Sequence, residues 1–528
     1  MKRILKLTCL LSLTSLPIYA QNGDKKDPST QKDPIPADQI PPAPFLDKDQ
    51  ALKSFEVADG FVLENIAEEN VHQPVSLSFD ADGRAWVVEM TNYMLDVAST
   101  DENKPAGRIK VLEDSNGDGK LDKTTVFLDK LILPRACAVT SDGLLYAHAD
   151  QLFFIKRGGK DGLTPVGEPE LIDKDYARGG NAEHKANGLL LGRDNWYYNA
   201  KSDNRYRRVH GKWVKEETAF RGQWGISQDD AGRLYHNSNS VTLSGDSTRP
   251  NLFRHHPQYT PKHRISSRVG TNRIYPIRMN PGVNRAYQGI LDKSGKLVNC
   301  TAAAGMTIYR GENFPKELYG TAFVSIPCGN LIKAMSVEHD SSNKPKGSFP
   351  FKEKEFIAST DEWFRPVNIY TAPDGTLWVI DMYMGLLQHT TYMTTYLRKQ
   401  YVSRGLDKPK PNNGRLYRVR YEANKVSEVP KMSNATIADL QANLSHVNGT
   451  VRDTAQRLIV ERITSPDGTE DYKEWNKLNT KASYSGLGLL HALWAYEAMN
   501  WIPNNLIEQA LDSDNSDIVN SALELAHY

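Results

Sequence analysis

Short runs in which apolar and polar residues alternate recur along most of the chain, each introduced by an Asp/Asn-Gly turn. Asp80-Ala81-Asp82-Gly83-Arg84 leads into Ala85-Trp86-Val87-Val88, and Asp142-Gly143 leads into Leu144-Leu145-Tyr146. The pattern returns as Asp194-Asn195 before Trp196-Tyr197-Tyr198, as Asp230-Ala231-Gly232-Arg233 before Leu234-Tyr235, and as Asp374-Gly375 before Leu377-Trp378-Val379. Such turns join antiparallel strands, and the aromatic and β-branched residues after them suit a pleated, half-buried surface. A motif returning at roughly 40–50 residues, with insertions, predicts the blades of a β-propeller. The gap between Gly232 and Gly375 has room for two further blades, with strands at 320–325 and 330–333, and Gly414 to Val419 closes the ring. The expectation is an all-β six-bladed propeller over residues 49–425. A β-sandwich is the alternative, but sandwiches do not repeat one motif so often.

After Val429-Pro430 the apolar spacing becomes helical, at Thr436 to Leu440, Val451 to Ile459 and Gly486 to Trp494. The pairing of these segments predicts an α-helical, HEAT-like solenoid over 433–528. It breaks off at Tyr528 without a polar cap, so a truncated repeat array is expected. At the other end, Lys2, Arg3 and Lys6 precede an apolar stretch from Leu7 to Ile18 and then Ala20. This predicts a secretory signal peptide over 1–20 and a periplasmic or secreted protein. Residues 21–48 are rich in Pro, Asp and Lys, and are expected as a disordered tether.

Composition narrows the classes. The 528 residues are 39% hydrophobic and 24% charged, with 65 Lys plus Arg against 64 Asp plus Glu. That balance argues against a nucleic-acid-coating protein, and no apolar run is long enough for a membrane span. Once Cys9 leaves with the signal, Cys137, Cys300 and Cys328 remain, and Cys300 with Cys328 is the expected pair. There is no Cys-x-x-Cys-His, hence no covalent c-type haem in this chain, and no dinucleotide, Walker or Gly-x-Ser-x-Gly motif.

Four segments carry candidate chemistry. Asp114, Asn116, Asp118, Lys120 and Asp122 have the spacing of a calcium loop, with Thr125 where an EF-hand places its bidentate acid. A solvated Asp-Gly turn is the other reading. His184, just before a blade strand, points near the central channel, where a neutral imidazole accepts a hydroxyl proton, or else it satisfies loop carbonyls. Lys201, Arg205, Arg221 and Gln223 lie at strand ends, where converging cations hold a polycarboxylate cofactor or simply form surface charge. Arg365, Asp381 and Tyr383 flank the last clear motif, in a site or as loop caps.

The propeller region resembles the glucose/sorbosone dehydrogenase superfamily, soluble quinoproteins on six-bladed propellers. Within it, the chain is most similar to the large secreted proteins called membrane-bound dehydrogenases. Those join a propeller to HEAT-like repeats and often end in a cytochrome c domain. The residues carrying the resemblance are Phe79 to Met90, the calcium-like loop, Glu183 to Asn195 and Trp363-Phe364-Arg365-Pro366-Val367. Asp381-Met382-Tyr383, Arg404-Gly405-Leu406-Asp407-Lys408-Pro409 and Gly414 to Val419 complete it. The resemblance implies His184 as general base and Arg221 as a cofactor contact, with Gly222 replacing the family's asparagine. Ala186-Asn187 stands where the sugar dehydrogenases carry paired glycines.

The reading that follows is a quinoprotein-like oxidoreductase acting on a sugar or polyol with pyrroloquinoline quinone (PQQ) and calcium. His184 is its catalytic base. Arg221, Gln223, Asn187, Lys201, Arg205, Arg365 and Asp381 are its candidate cofactor ligands, and electrons pass to cytochrome c or another acceptor. The alternative is a non-catalytic propeller that binds carbohydrate while its HEAT-like repeats dock a protein partner.

Overall fold

The computed structural model describes residues 33–67, 71–250, 252, 266–283, 289–408, 410, 413–480, 482–484 and 486–526. The expected signal peptide at 1–20 and residues 21–32 of the expected tether lie outside them.

Six antiparallel sheets form the six blades expected from the repeats. Blade 1 runs through Pro74–Phe79, Ala85–Glu89, Gly107–Glu113 and Lys123–Leu131, and blade 2 through Cys137–Val139, Gly143–His148, Gln151–Gly158 and Thr164–Asp173. Blade 3 uses Asn187–Leu191, Tyr197–Ala200, Ser202–Val209 and Lys212–Arg221. Blade 4 uses Ile226–Gln228, Leu234–Ser238, Val241–Asp246 and Ser266–Arg268. Blade 5 is built on Met306–Ile308, Ala322–Ile326, Leu331–His339 and Ile357–Ser359. In blade 6, Pro366–Thr371, Leu377–Asp381 and Arg415–Tyr421 are joined by Phe61–Asn65 from the start of the chain, with Phe61 opposite Tyr421. That pairing ties the two ends of the ring together, with Phe61–Asn65 as the outer strand of blade 6.

The blades stack on apolar faces. Second strands such as Ala85–Glu89 and Ala322–Ile326 are buried at every position because both faces meet neighbouring blades, whereas the outer strand Thr164–Asp173 is mostly exposed. Gly83, Gly232 and Gly375 take φ near +80°, and Asn195 takes +63° in the equivalent slot, as the turns require. Gly143 is different: it opens its strand, and a Cβ there would meet the Phe154 ring.

Residues 33–47 correct the tether expectation. Phe45 packs edge-on against Trp363 and Tyr383, the Trp363 indole donates to the Ala43 carbonyl at 3.0 Å, and Arg404 donates to the Pro41 carbonyl. A few aromatic anchors order a polar segment that composition alone marks as unstructured. Helix α1 (Lys48–Leu52) follows, capped by Asp47, and α2 (Thr395–Ser403) lies in the long blade 6 insertion.

Six helices form the C-terminal part: α3 (Ile437–Asn443), α4 (Gly449–Ile463), α5 (Thr469–Asn479), α6 (Leu487–Glu497), α7 (Asn504–Leu511) and α8 (Ser516–Leu525). Their core includes Leu440, Ile459, Trp475 and Leu493. They dock on the propeller face that carries the Asp/Asn-Gly turns. Asp453 of α4 pairs with Arg193 at 2.9 Å and Arg310 at 2.7 Å, while Asp230 pairs with Arg310 and Arg452, both at 2.6 Å. Arg207–Glu497 and Arg249–Glu524 extend the contact. A cavity of about 210 Å³ on the channel axis is walled by first strands from all six blades and closed by Asp453, Thr454 and Arg457 of α4.

Candidate functional site

The opposite end of the channel opens into a second cavity of about 140 Å³, at the N-terminal ends of the first strands. Its walls combine apolar side chains, Val75, Met90, Trp224 and Val367 among them, with His184, Glu183, Gln223, Asn239, Arg365 and Cys328.

His184 ends a single 3-10 turn, Ala182–His184, capped by the Asn181 side chain, which accepts from the Glu183 amide. Its Nδ1 lies 3.2 Å from the Tyr392 hydroxyl and its Nε2 3.5 Å from Asn239 Nδ2. With Asn239 Nδ2 as a donor toward Nε2, the ring proton sits on Nδ1 and is accepted by Tyr392, and the Nε2 lone pair is held by Asn239 only through a long contact. Burial, and then the charges of Lys201 and His389, lower the imidazole pKa to about 4. The ring is therefore neutral at ordinary pH.

Beside it, the Glu183 carboxylate accepts from the Tyr93 hydroxyl at 2.7 Å, from the His389 amide and from Gln388 Nε2. Desolvation pushes the Glu183 carboxyl up, against these donors. His389 accepts the Thr391 amide at Nδ1, so its Nε2 proton faces Glu102, 3.2 Å away. An acid–histidine–tyrosine network thus borders one side of the cavity. Glu183, Tyr93, Glu102 and Tyr392 were not picked out by sequence reasoning, because their neighbourhood joins loops of three blades. The Glu183-His184 step and the His389 to Tyr392 stretch were the available signals.

The other candidate residues divide. Gln223 lines the cavity and donates to the Glu183 carbonyl at 2.9 Å. Arg365 lines it too, but its guanidinium donates to the carbonyls of Pro327, Met384 and Gly385. Lys201 lies close enough for its charge to act on His184, and its ammonium sits over the Phe220 ring. Arg221 does not face the cavity: it is 2% exposed, bound to Asp246 at 2.8 Å and to Thr218 and Ala219. Arg205 is held by Glu216 at 2.6 Å over the Trp196 ring. Asn187 staples the Lys185 and Gln223 carbonyls to the Gly225 amide. Asp381 accepts the Arg365 and Tyr383 amides through one oxygen, and burial pushes its carboxyl up to about 7. It caps the loop.

In the calcium-like loop, Asp114 accepts the Gly117 and Gly119 amides. Asn116 and Asp118 accept the amides two residues on, and Asp122 binds Ser115. Among the described residues no three acidic, histidine or cysteine side chains converge as a metal site. The loop's oxygens accept hydrogen bonds from its own backbone and from the Ser115 hydroxyl. The cavity likewise does not fit a polycarboxylate quinone. Of the four cations expected to converge, only Arg365 lines the wall, and carbonyls already use its donors.

A family model described as a domain of unknown function, DUF7133, matches residues 47–423. The chain belongs to the DUF7133 family. The match spans the six blades, so the family is a propeller family. No curated protein matches the chain. Among solved structures it is similar to the PQQ domain of pyranose dehydrogenase from Coprinopsis cinerea (11% identity, 69% of this chain and 97% of that one, TM-score 0.39). It is also similar to the soluble aldose sugar dehydrogenase of Escherichia coli (11%, 68% and 99%, TM-score 0.35) and the aldose sugar dehydrogenase of Streptomyces coelicolor (11%, 70% and 98%, TM-score 0.36). Nothing about cofactor or substrate follows for this chain from likenesses at that identity and TM-score.

Proposed function

We propose that this DUF7133 chain acts on a sugar or related polyol in the cavity at the open end of the channel, with His184 accepting a hydroxyl proton. The single supporting observation is the state of His184: a neutral imidazole in the cavity wall, one nitrogen held by Tyr392 and the other in a long contact with Asn239 that a substrate hydroxyl would replace. A base of this kind contributes when its acceptor nitrogen reaches the proton it removes. Gln223 and Asn239 supply neutral hydrogen bonds suited to hydroxyl groups, and Trp224 supplies an apolar face. Oxidation of an alcohol is the reaction class, by the resemblance of the propeller to the sugar dehydrogenases, and its two electrons need an external acceptor, for which the redox dye of the assay below stands in. PQQ, calcium and transfer of electrons to cytochrome c belong to that resemblance, and no step is derived through them. Secretion to the periplasm and a HEAT-like reading of α3–α8 complete the proposal; no helix among the described residues is long and apolar enough to cross a membrane.

A second reading draws on Arg221 and Arg205. Both are consumed in structural pairs, which favours a propeller that binds carbohydrate without turning it over. One experiment separates the two. Wild type and His184→Ala are titrated calorimetrically with a panel of sugars and polyols, then assayed with a redox dye, with and without added PQQ and calcium. Dye reduction by wild type and its loss in His184→Ala is the expected result. Binding without dye reduction supports the second reading, and no binding of any sugar or polyol overturns both.

A further inference from the structure

We propose that Cys300 and Cys328 form a redox-active dithiol in the cavity wall, one that reacts with low-molecular-weight disulfides and closes to an internal bridge. Both are free thiols, on separate segments that the propeller brings together. The Cys300 amide donates to the Asn272 carbonyl at 2.8 Å, in the connection that leads into blade 5. Cys328 is the middle residue of the single turn Pro327–Gly329, between Ala322–Ile326 and Leu331–His339. Cys328 packs against the core cluster that contains Cys300, and its Sγ donates to the carbonyl of Ala302, two residues along from Cys300, at 3.4 Å. Their exposure differs. Cys328 is partly exposed and lines the cavity, whereas Cys300 lies behind it, 3% exposed.

The surroundings divide the labour between the sulfurs. The Cys300 thiol, with the amide and hydroxyl of Thr301 and the amide of Ala302, outweighs burial and lowers the Cys328 pKa to about 6. Cys300 is pushed up, first by its hydrogen bond to Cys328 and then by burial. Cys328, the sulfur that faces the cavity, is therefore the one more readily ionised, while Cys300 holds its proton more firmly. An attacking and a resolving thiol need this division. The third cysteine, Cys137, has neither property: it sits in the apolar core, where burial pushes its pKa up to about 12.

The reaction balances with one external disulfide, R–S–S–R. The Cys328 thiolate attacks one of its sulfurs, the S–S bond breaks, and R–S⁻ leaves a mixed disulfide on Cys328. Cys300 then gives its proton to that R–S⁻, making R–SH, and attacks the Cys328 sulfur to expel the second R–S⁻. The two cysteines lose two electrons and the external disulfide gains them. Closure removes the Cys328 charge from the wall and ties its turn to the segment bearing Ala302, Ala303 and Ala304, which also lines the cavity.

The test uses the full chain, reduced, desalted and incubated with oxidised glutathione, and read by intact mass, thiol count and peptide mapping. Wild type is expected to lose two hydrogens and two titratable thiols, with a cross-linked Cys300–Cys328 peptide and Cys137 still titratable after unfolding. Cys300→Ser is expected to stop at a glutathione adduct on Cys328, and Cys328→Ser to remain unmodified; Cys300→Ala serves where serine is not tolerated. A wild type that stops at the adduct, fails to react, or bridges through Cys137 overturns the proposal. This chemical readout is independent of whether a sugar binds.

Discussion

The two ends of the propeller channel solve the burial of polar groups in opposite ways. At the closed end, arginines and carboxylates of the blades and of the helical part interlock: Arg193 and Arg310 of the propeller with Asp453 of α4, Asp230 of the propeller with Arg310 and with Arg452 of α4, and Arg207 with Glu497 of α6. There the arginines hold the Asp230 and Asp453 carboxyls below their ordinary values despite burial. At the open end, His184 is kept neutral by burial and nearby positive charge, and Glu183 is pushed up by desolvation. Fully paired charge makes a fixed interface. A histidine held in its neutral form beside a cavity is placed for proton transfer, and such perturbations cluster at functional sites.

The largest expected effect breaks the closed end. Asp453→Ala leaves Arg193 and Arg310 buried without this partner, and removing one member of such a set costs about 3–5 kcal/mol. Urea unfolding is expected to show that loss; a change under about 1 kcal/mol, the range of exposed pairs, would mean that the network is solvated. Acid gives the next largest effect. Because both Asp pKa values are depressed in the folded state, their stabilisation is complete above the unfolded value of about 3.9 and is lost as pH falls below it toward the folded values. Unfolding followed from pH 6 downward is expected to be less steep in Asp453→Asn than in wild type.

A smaller effect lies on the flank of the open end. Phe45→Ala removes one ring from the Trp363–Tyr383 contact and is expected to cost roughly 1–2 kcal/mol, less than a fully buried Phe because the ring is 40% exposed. Limited proteolysis should then cut within 33–47 before any blade; unchanged protection there would show that other contacts hold the segment.

The blades were legible because their signal is local. An Asp-Gly turn and the alternation after it need only a few residues, and Leu377–Asp381 or Leu234–Ser238 follow from them directly. The closing strand was not, since Phe61–Asn65 pairs with residues far along the chain and carries no motif. Nor could the turns be seen to have a second role. Asn195 looks like a turn residue in the sequence, yet its amide also donates to the Trp494 carbonyl of α6. The site was half legible. His184 and Gln223 stand out as strand-end polar residues, but Arg221 has the same appearance, and only the fold shows Asp246 beside it. A polar residue before a strand says nothing of whether its partner is a ligand or another blade.

The central claim is that the open end keeps His184 neutral, with Nε2 unprotonated at ordinary pH. It is tested most directly by a histidine side-chain NMR titration of the full chain, with the His184 signal assigned from its loss in His184→Gln. A midpoint near pH 4 is expected, moving up toward the ordinary histidine value of about 6.5 in Lys201→Met, which removes one of the positive charges that lower it. A wild-type midpoint at or above 6.5 would contradict it, placing a charged imidazole in the cavity and removing the base.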